Sequence, residues 1–185
     1  MSVKSNIRRA LMTAGVVLMT TAAFAAVKMV GGAPMYPTKN IVENAVNSKD
    51  HTTLVAAVKA AGLVDTLMTP GPFTVFAPTN AAFKKLPAGT VETLVKPENK
   101  ATLTKILTYH VVSGKLSAAD LAQMVKDGGG EASLKTVEGE TLTVQAKGRK
   151  LFVTDAKGDV ATITIADVFQ SNGVIHVVNT VMLPK

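Results

Sequence analysis

The chain has 185 residues and a formal net charge of +7, and three of its cations lie within the first nine residues. The rest of the chain carries +4, and only Arg149 among its 17 cations is an arginine. The absence of cysteine excludes disulfides, thiolate metal sites and cysteine nucleophiles. A nucleic-acid partner is disfavoured, because the lysines are dispersed and aromatic residues make up only 4% of the chain.

The first 25 residues have the three parts of a secretory signal peptide. Lys4, Arg8 and Arg9 precede an apolar run that ends in Ala23-Phe24-Ala25. Small residues at such positions are typical of a signal-peptidase site. The apolar run is shorter than the roughly 20 residues of a membrane-spanning helix. We therefore expect cleavage after Ala25, a mature protein without an integral membrane segment, and a secreted or periplasmic location.

Residues 26–38 are rich in residues that interrupt regular structure, with Gly31, Gly32, Pro34 and Pro37 close together. This composition predicts a flexible leader. The remaining residues, 39–185, have the length of one ordinary domain, and we expect them to fold as a single unit.

The first part of this domain predicts small helices. Asn40 and Asp50 are each placed to cap one, and Gly62 is placed to end the second. Thr79 is predicted to cap another helix, which follows a short apolar strand. Ser117 is predicted to cap a further one.

Residues 98–107 have the apolar spacing of an amphipathic helix, and the β-branched stretch 109–112 after them predicts a strand. From residue 131 the pattern changes to period two, with five strand candidates joined by tight turns. Asn172-Gly173 is predicted to form the last turn through positive φ angles. The strand after it is apolar on both faces, which predicts burial on both sides. The segregation of helices from strands predicts an α+β fold with a mixed or antiparallel sheet.

Three segments resemble the fasciclin (FAS1) domain family: GPFTVFAPTNAAF at 71–83, YHVVSGKL at 109–116 and NGVIHVVNTVMLP at 172–184. They occur in the order of the family's two homology boxes and of the Tyr-His element between them. The resemblance covers nearly all of the chain after Thr38 and is to bacterial secreted single-domain members. It implies a wedge of β-strands with a cluster of small helices packed against it.

The resemblance marks Tyr109 and His110 as candidate partner-binding residues, because this element is implicated in integrin-dependent adhesion in animal relatives. The apolar surroundings of His110 favour a structural role instead, with the imidazole hydrogen-bonded inside the fold. The corner at Thr79-Asn80 is the partner that we expect for His110.

Asp167 and Val168 form the second candidate pair. They resemble an Asp-Ile pair of animal fasciclin domains that is also implicated in integrin recognition. The alternative is that Asp167 is a solvent-facing acid at a strand end, as most aspartates are. The signal peptide is of a bacterial type, so an integrin itself is not expected as the partner.

Catalytic motifs are missing from the sequence. The three histidines, His51, His110 and His176, do not have the spacing of metal ligands on one face. There is also no nucleophile elbow and no phosphate-binding glycine loop. We therefore expect no enzymatic activity, no cofactor and no metal.

The function predicted from these observations is that of an exported, non-catalytic binding module. Its expected partner is a protein or polysaccharide of the cell envelope or extracellular matrix, in a role that resembles adhesion. An alternative is a periplasmic carrier or sensor that holds a small apolar ligand between the helices and the sheet. A third is a structural protein of the envelope.

Overall fold

The computed structural model describes residues 27–185. The predicted signal peptide, residues 1–25, lies outside the described residues and stays a prediction. Within the described part, all seven α-helices lie before residue 128 and five consecutive strands follow residue 130. The α+β segregation predicted from the sequence is therefore confirmed.

Seven of the strands form one mixed sheet in the order β4-β3-β9-β8-β7-β6-β5, and β1 and β2 form a separate hairpin. Strands β3 and β9 are parallel, and the other neighbours are antiparallel. The strands are β1 Lys28–Val30, β2 Ala33–Met35, β3 Phe73–Pro78, β4 Val111–Ser113, β5 Glu131–Lys135, β6 Thr141–Lys147, β7 Lys150–Thr154, β8 Val160–Gln170 and β9 Gly173–Val178.

The helices are short, and the longest have ten residues. Among residues 27–185, none is long and apolar enough to cross a membrane. The helices are α1 Ile41–Ala45, α2 Thr52–Ala61, α3 Val64–Met68, α4 Asn80–Phe83, α5 Thr90–Leu94, α6 Lys100–Tyr109 and α7 Ala118–Asp127, with single 3₁₀ turns at Lys49–His51 and Pro97–Asn99.

Most of the predicted helix ends are confirmed, because they depend on local chemistry. Asn40 and Glu43 form a reciprocal capping box at the start of α1. The Thr79 side chain accepts a hydrogen bond from the Ala82 N–H at the start of α4. Gly62 ends α2 with a left-handed φ of 72°.

Two predicted boundaries are wrong. Asp50 does not cap α2; the distant Asn80 accepts the hydrogen bond from the Thr53 N–H, at 3.0 Å. The strand predicted over residues 109–112 begins only at Val111, because α6 continues to Tyr109. Tyr109 continues the buried face of that helix, so tertiary packing overrides the strand preference of the local sequence.

The flexible leader predicted for residues 26–38 is also wrong. Strands β1 and β2 pair in this segment, and Val30 and Met35 are each only 3% exposed. Gly31 and Gly32 form the two-residue turn, with φ angles of 59° and 76°. The glycines therefore permit a hairpin here, and burial of its apolar side chains fixes it against the domain.

The central strands β3 and β9 separate two hydrophobic cores, because successive side chains of a strand point to opposite faces. The helix-side core contains Val75 and Ile175 and packs against α1, α2, α3 and α6. The strand-side core contains Phe76 and Val178 and packs against α7 and strands β5 to β8. Every residue of β9 is buried, which confirms the predicted burial on both sides.

Ser171 and Asn172 connect β8 to β9, and Gly173 pairs with Gln170 as the first residue of β9. Neither Asn172 nor Gly173 adopts a positive φ, so the predicted turn geometry is wrong. Glycine is required at 173 for a different reason. A Cβ there would lie 2.1 Å from the backbone oxygen of Phe73.

The buried Asn172 side chain accepts from the Ile41 N–H at 3.0 Å and donates to the Leu67 carbonyl at 2.8 Å. It thereby links two helices to the centre of the sheet.

Candidate functional site

Tyr109 is completely buried at the end of α6. Its hydroxyl donates to the Thr141 carbonyl at 3.1 Å and accepts from the Ala156 N–H at 2.9 Å. Burial raises the pKa of this hydroxyl, so it stays protonated at neutral pH. These two hydrogen bonds connect α6 to the start of β6 and to the turn after β7.

His110 follows directly and is 2% exposed. Its Nδ1 lies 2.8 Å from the Ile106 carbonyl oxygen, and Nε2 accepts from the Met182 N–H at 3.0 Å. These two contacts require the proton on Nδ1. Burial lowers the pKa of the ring to about 4, which keeps it neutral at pH 7. The predicted partner, the Thr79-Asn80 corner, is wrong, because the C-terminal segment supplies the contact instead.

The burial of Tyr109 and His110 favours a structural role for both. A macromolecular partner has no direct access to side chains that are 0% and 2% exposed. The pair holds α6 against the sheet and the C-terminal segment. Its partner-binding role stays a prediction, and any effect on binding would act through the position of these elements.

Asp167 lies at an irregular part of β8, where the pairing register with β9 shifts between Ile165 and Val168. Its φ of 57° is unusual for a residue other than glycine. One carboxylate oxygen accepts from the Ala118 N–H at the start of α7, at 2.6 Å. The side chain is half-buried, so it is neither fully solvated nor inaccessible.

His176 supports the backbone of Asp167 from β9. Its Nδ1 accepts from the Asp167 N–H at 3.3 Å, and its Nε2 lies 2.8 Å from the Leu116 carbonyl oxygen. The ring also stacks on Phe76, with 5.8 Å between centroids. Burial lowers the pKa of this imidazole, so it is neutral at pH 7. The unusual conformation at Asp167 is therefore held by part-buried hydrogen bonds to β9 and to the start of α7.

Beside Asp167 the surface carries an aromatic ring and a cation. Phe169 is half-buried, and the Lys115 ammonium lies 5.1 Å from the centroid of its ring. We refer to Lys115, Asp167 and Phe169 as the Asp167 surface. Sequence reasoning missed Lys115 and Phe169, although the alternation along β8 places Phe169 on the same face as Asp167.

The structure also contains a cavity of about 80 Å³ in the helix-side core. His110 and Val168, one from each predicted pair, both line it, and Val168 is 1% exposed. Tyr109 and Asp167 are not among the lining residues. The candidate residues are thus divided between the surface and the interior.

His51 also lines this cavity, and sequence reasoning gave it no role. It is 3% exposed, and its Nδ1 lies 2.9 Å from the Ser48 hydroxyl. Within residues 27–185 it carries the one buried side-chain polar atom that has no hydrogen-bond partner, Nε2. Burial lowers the pKa of the ring, an effect that the backbone of Ala77 partly opposes. No local motif marks this residue.

Over the same described range, no group of three or more histidine and carboxylate side chains is arranged to hold a metal ion. The contacts of His110 and His176 occupy both nitrogens of each ring. Neither ring is therefore free to act as a base or a ligand in this conformation.

Comparison with known proteins places these features in a family. The Fasciclin domain family model matches residues 49–184. Protein sll1483 of Synechocystis is 54% identical over 144 residues, which cover 78% of this chain and 73% of that protein. The cell surface glycolipoprotein MPB83 of Mycobacterium bovis is 35% identical and is matched over 76% of this chain and 58% of its own length.

A solved structure of a FAS1 domain pair from the insect cell adhesion molecule fasciclin I is also similar. It has a TM-score of 0.70 at 18% identity, and the match covers 78% of this chain and 51% of that one. The chain belongs to the fasciclin domain family, and its fold is the FAS1 β-wedge with small helices packed against it.

Proposed function

We propose that the protein is an exported, non-catalytic binding module that contacts a protein or polysaccharide of the cell envelope or extracellular matrix. The matches indicate no catalytic family. Two of the similar proteins are described as a cell surface glycolipoprotein and a cell adhesion molecule. The signal-peptide pattern of residues 1–25 supports a secreted or periplasmic location.

The observation that carries this proposal is the Asp167 surface. Phe169 supplies partly exposed aromatic area, and aromatic residues are enriched at protein interfaces. Lys115 lies over that ring as a cation, and Asp167 is held in place by the Ala118 N–H. In the described residues, only one of the two Asp167 carboxylate oxygens accepts a hydrogen bond. The second oxygen is therefore available to a partner on a preorganised backbone.

A quantitative capture experiment tests this surface. The secreted protein is immobilised and exposed to envelope fractions of its source cells at low and moderate salt. Lys115→Glu reverses an exposed charge without removing buried area. We expect this variant to lose at least three-quarters of the captured material. A partner group that pairs with the Lys115 ammonium would face a negative charge instead, and like charges at a contact disfavour binding. Protease treatment of the fraction then distinguishes a protein from a polysaccharide partner.

The chain offers a matched control. Lys147 at the end of β6 lies 6.0 Å from the centroid of the half-buried Phe152 ring on β7, which repeats the lysine-aromatic arrangement away from Asp167. Lys147→Glu changes the net charge by the same amount and should leave capture intact. Equal losses in both variants would indicate a general effect of net charge and contradict a specific site.

The second candidate, a carrier or sensor of a small apolar ligand between helices and sheet, is favoured by one specific observation. The cavity of about 80 Å³ lies between the helices and the sheet, the region that this alternative requires. A cavity in the interior and a contact surface at Asp167 are compatible with each other, because they use different residues.

A further inference from the structure

The hairpin of β1 and β2 has one face buried against the domain and one face exposed. Successive side chains of a strand point to opposite faces, so every second side chain of the hairpin points outward. The register places Met29 opposite Pro34 and continues on the same face to Val27 and Tyr36. Met29 is 60% exposed, Val27 48% and Tyr36 43%. We refer to these four residues as the hairpin face, which is an exposed and contiguous apolar patch.

The chemistry of the hairpin face is that of a surface at a membrane boundary. Met29 is the most exposed of the large apolar side chains in residues 27–185. Tyr36 has an apolar ring and a polar hydroxyl, and tyrosine is enriched where a membrane meets water. The Lys39 ammonium lies 5.4 Å from the centroid of that ring. A lysine in this position can keep its charge among lipid headgroups while its methylene groups cover apolar surface.

The amino-acid sequence places the hairpin face next to a bilayer. The apolar run of residues 10–25 ends three residues before β1 begins at Lys28. The signal-peptide pattern predicts that this run enters the membrane during export. Three residues of extended chain span at most about 10 Å, and the headgroup layer on each side of a bilayer is roughly 5–8 Å thick. The hairpin therefore begins at the headgroup layer, with no linker to hold it away.

We propose that the hairpin face docks on the surface of a lipid bilayer, with Met29 and Tyr36 in the headgroup region and Lys39 at its edge. The contact holds the domain against the membrane while the apolar run is attached. After cleavage it provides weak and reversible binding, because a few apolar side chains bury little area. This inference goes beyond the proposed function, since the hairpin face contains no residue of the Asp167 surface.

Vesicle flotation of the secreted protein tests the proposal, with an excess of phosphatidylcholine vesicles that contain a minor fraction of phosphatidylglycerol. The unmodified protein should float with the vesicles at low and at moderate salt, because apolar contact provides most of the affinity. Met29→Ser/Tyr36→Ser should lower the partition coefficient about tenfold, since two apolar side chains no longer enter the interface. An unmodified protein that stays with the aqueous fraction would overturn the proposal.

The matched control is Val137→Ser/Val160→Ser. These valines are 46% and 52% exposed, and both lie outside the hairpin. The control variant should float as the unmodified protein does. Equal losses in the two double variants would indicate general surface hydrophobicity and contradict a specific docking face. Lys115→Glu should also leave flotation unchanged, because the vesicles contain neither protein nor polysaccharide. A failure of the hairpin face is therefore distinguishable from a failure of the Asp167 surface.

A second measurement locates the contact in the unmodified protein and does not depend on the folding of a variant. The ¹⁵N-labelled secreted protein is mixed with bicelles that contain a nitroxide-labelled lipid, and the loss of each amide signal is recorded by NMR. The amides of Met29 and Tyr36 should broaden most, and those of Val137 and Val160 should be nearly unaffected. Broadening centred on any other part of the domain would overturn the assignment of the hairpin face.

Discussion

The two cores on either side of the central strands differ in how completely they are filled. In the strand-side core, Leu142, Val144 and Val153 are fully buried, and the Tyr109 hydroxyl has both a donor and an acceptor partner. The helix-side core contains a cavity and a histidine nitrogen without a partner. Close packing and satisfied polar groups maximise stability. The difference indicates that the strand-side core is the more completely packed of the two, whereas the helix-side core retains unfilled space.

Truncation of one leucine in each core should lower the free energy of unfolding more than acidification or an added methylene group. The loss should be larger in the strand-side core than in the helix-side core. Leu142→Ala should lower the free energy of unfolding by about 4 kcal/mol, because the fully buried side chains around it are closely packed and cannot move into the cavity that the substitution leaves. Leu54→Ala, beside the existing cavity, should cost about 2–3 kcal/mol, since that side chain already lacks some neighbours. Urea unfolding followed by circular dichroism measures both. A larger loss for Leu54→Ala would contradict the comparison.

Acidification should have the next largest effect, because three buried histidines are neutral in the folded protein. The pKa of His110 is about 4 when folded and 6.5 in its ordinary state, and burial also lowers the pKa values of His51 and His176. The unfolded chain therefore binds protons first as the pH falls. Stability should decrease between pH 6.5 and about 4, with His110 alone contributing about 2 kcal/mol at pH 5.

The control for this pH dependence is His110→Leu, which removes one titrating group. The variant should be less stable at pH 7, because the Met182 N–H and the Ile106 carbonyl lose their partner. The loss of stability from pH 7 to pH 5 should nevertheless be smaller than in the unmodified protein. An unchanged pH dependence would show that His110 does not titrate in this range when folded.

Addition of one methylene group should have the smallest effect, and its sign should differ between the cores. Val168→Ile adds volume beside the cavity and should stabilise the protein by about 0.5 kcal/mol. Val153→Ile adds the same group to the fully packed strand-side core and should destabilise the protein by about 1 kcal/mol. Differential scanning calorimetry compares the two melting temperatures. Destabilisation of similar size in both variants would contradict the prediction that the cavity beside Val168 can accommodate an added methylene group.

The sequence predicts much of this fold because its signals are local. The Asn40 cap of α1, the Thr79 cap of α4 and the glycine end of α2 each depend on residues within one helical turn. The period-two pattern after residue 130 likewise identifies five strands. The resemblance to fasciclin domains supplied the wedge arrangement, which periodicity alone does not specify.

The errors have a common physical cause, which is dependence on contacts that are distant in sequence. The hairpin of β1 and β2 contains glycine and proline residues that usually interrupt regular structure. It forms because Val30 and Met35 are buried in the domain. The partner of the His110 Nε2 atom is Met182, 72 residues away. His51 has no distinctive neighbours in sequence, and only the packed structure shows its unpartnered nitrogen.

The parallel pairing of β3 with β9 has a consequence for how the chain folds. Phe73 pairs with Gly173, so the central strands of the sheet come from positions 100 residues apart. Both cores depend on β9, and neither can close before the last strand reaches its place. Contacts between such distant positions slow folding, because the intervening chain must lose its freedom before the contact forms. A chain whose C-terminal strand is still being synthesised therefore lacks a central strand that both cores require.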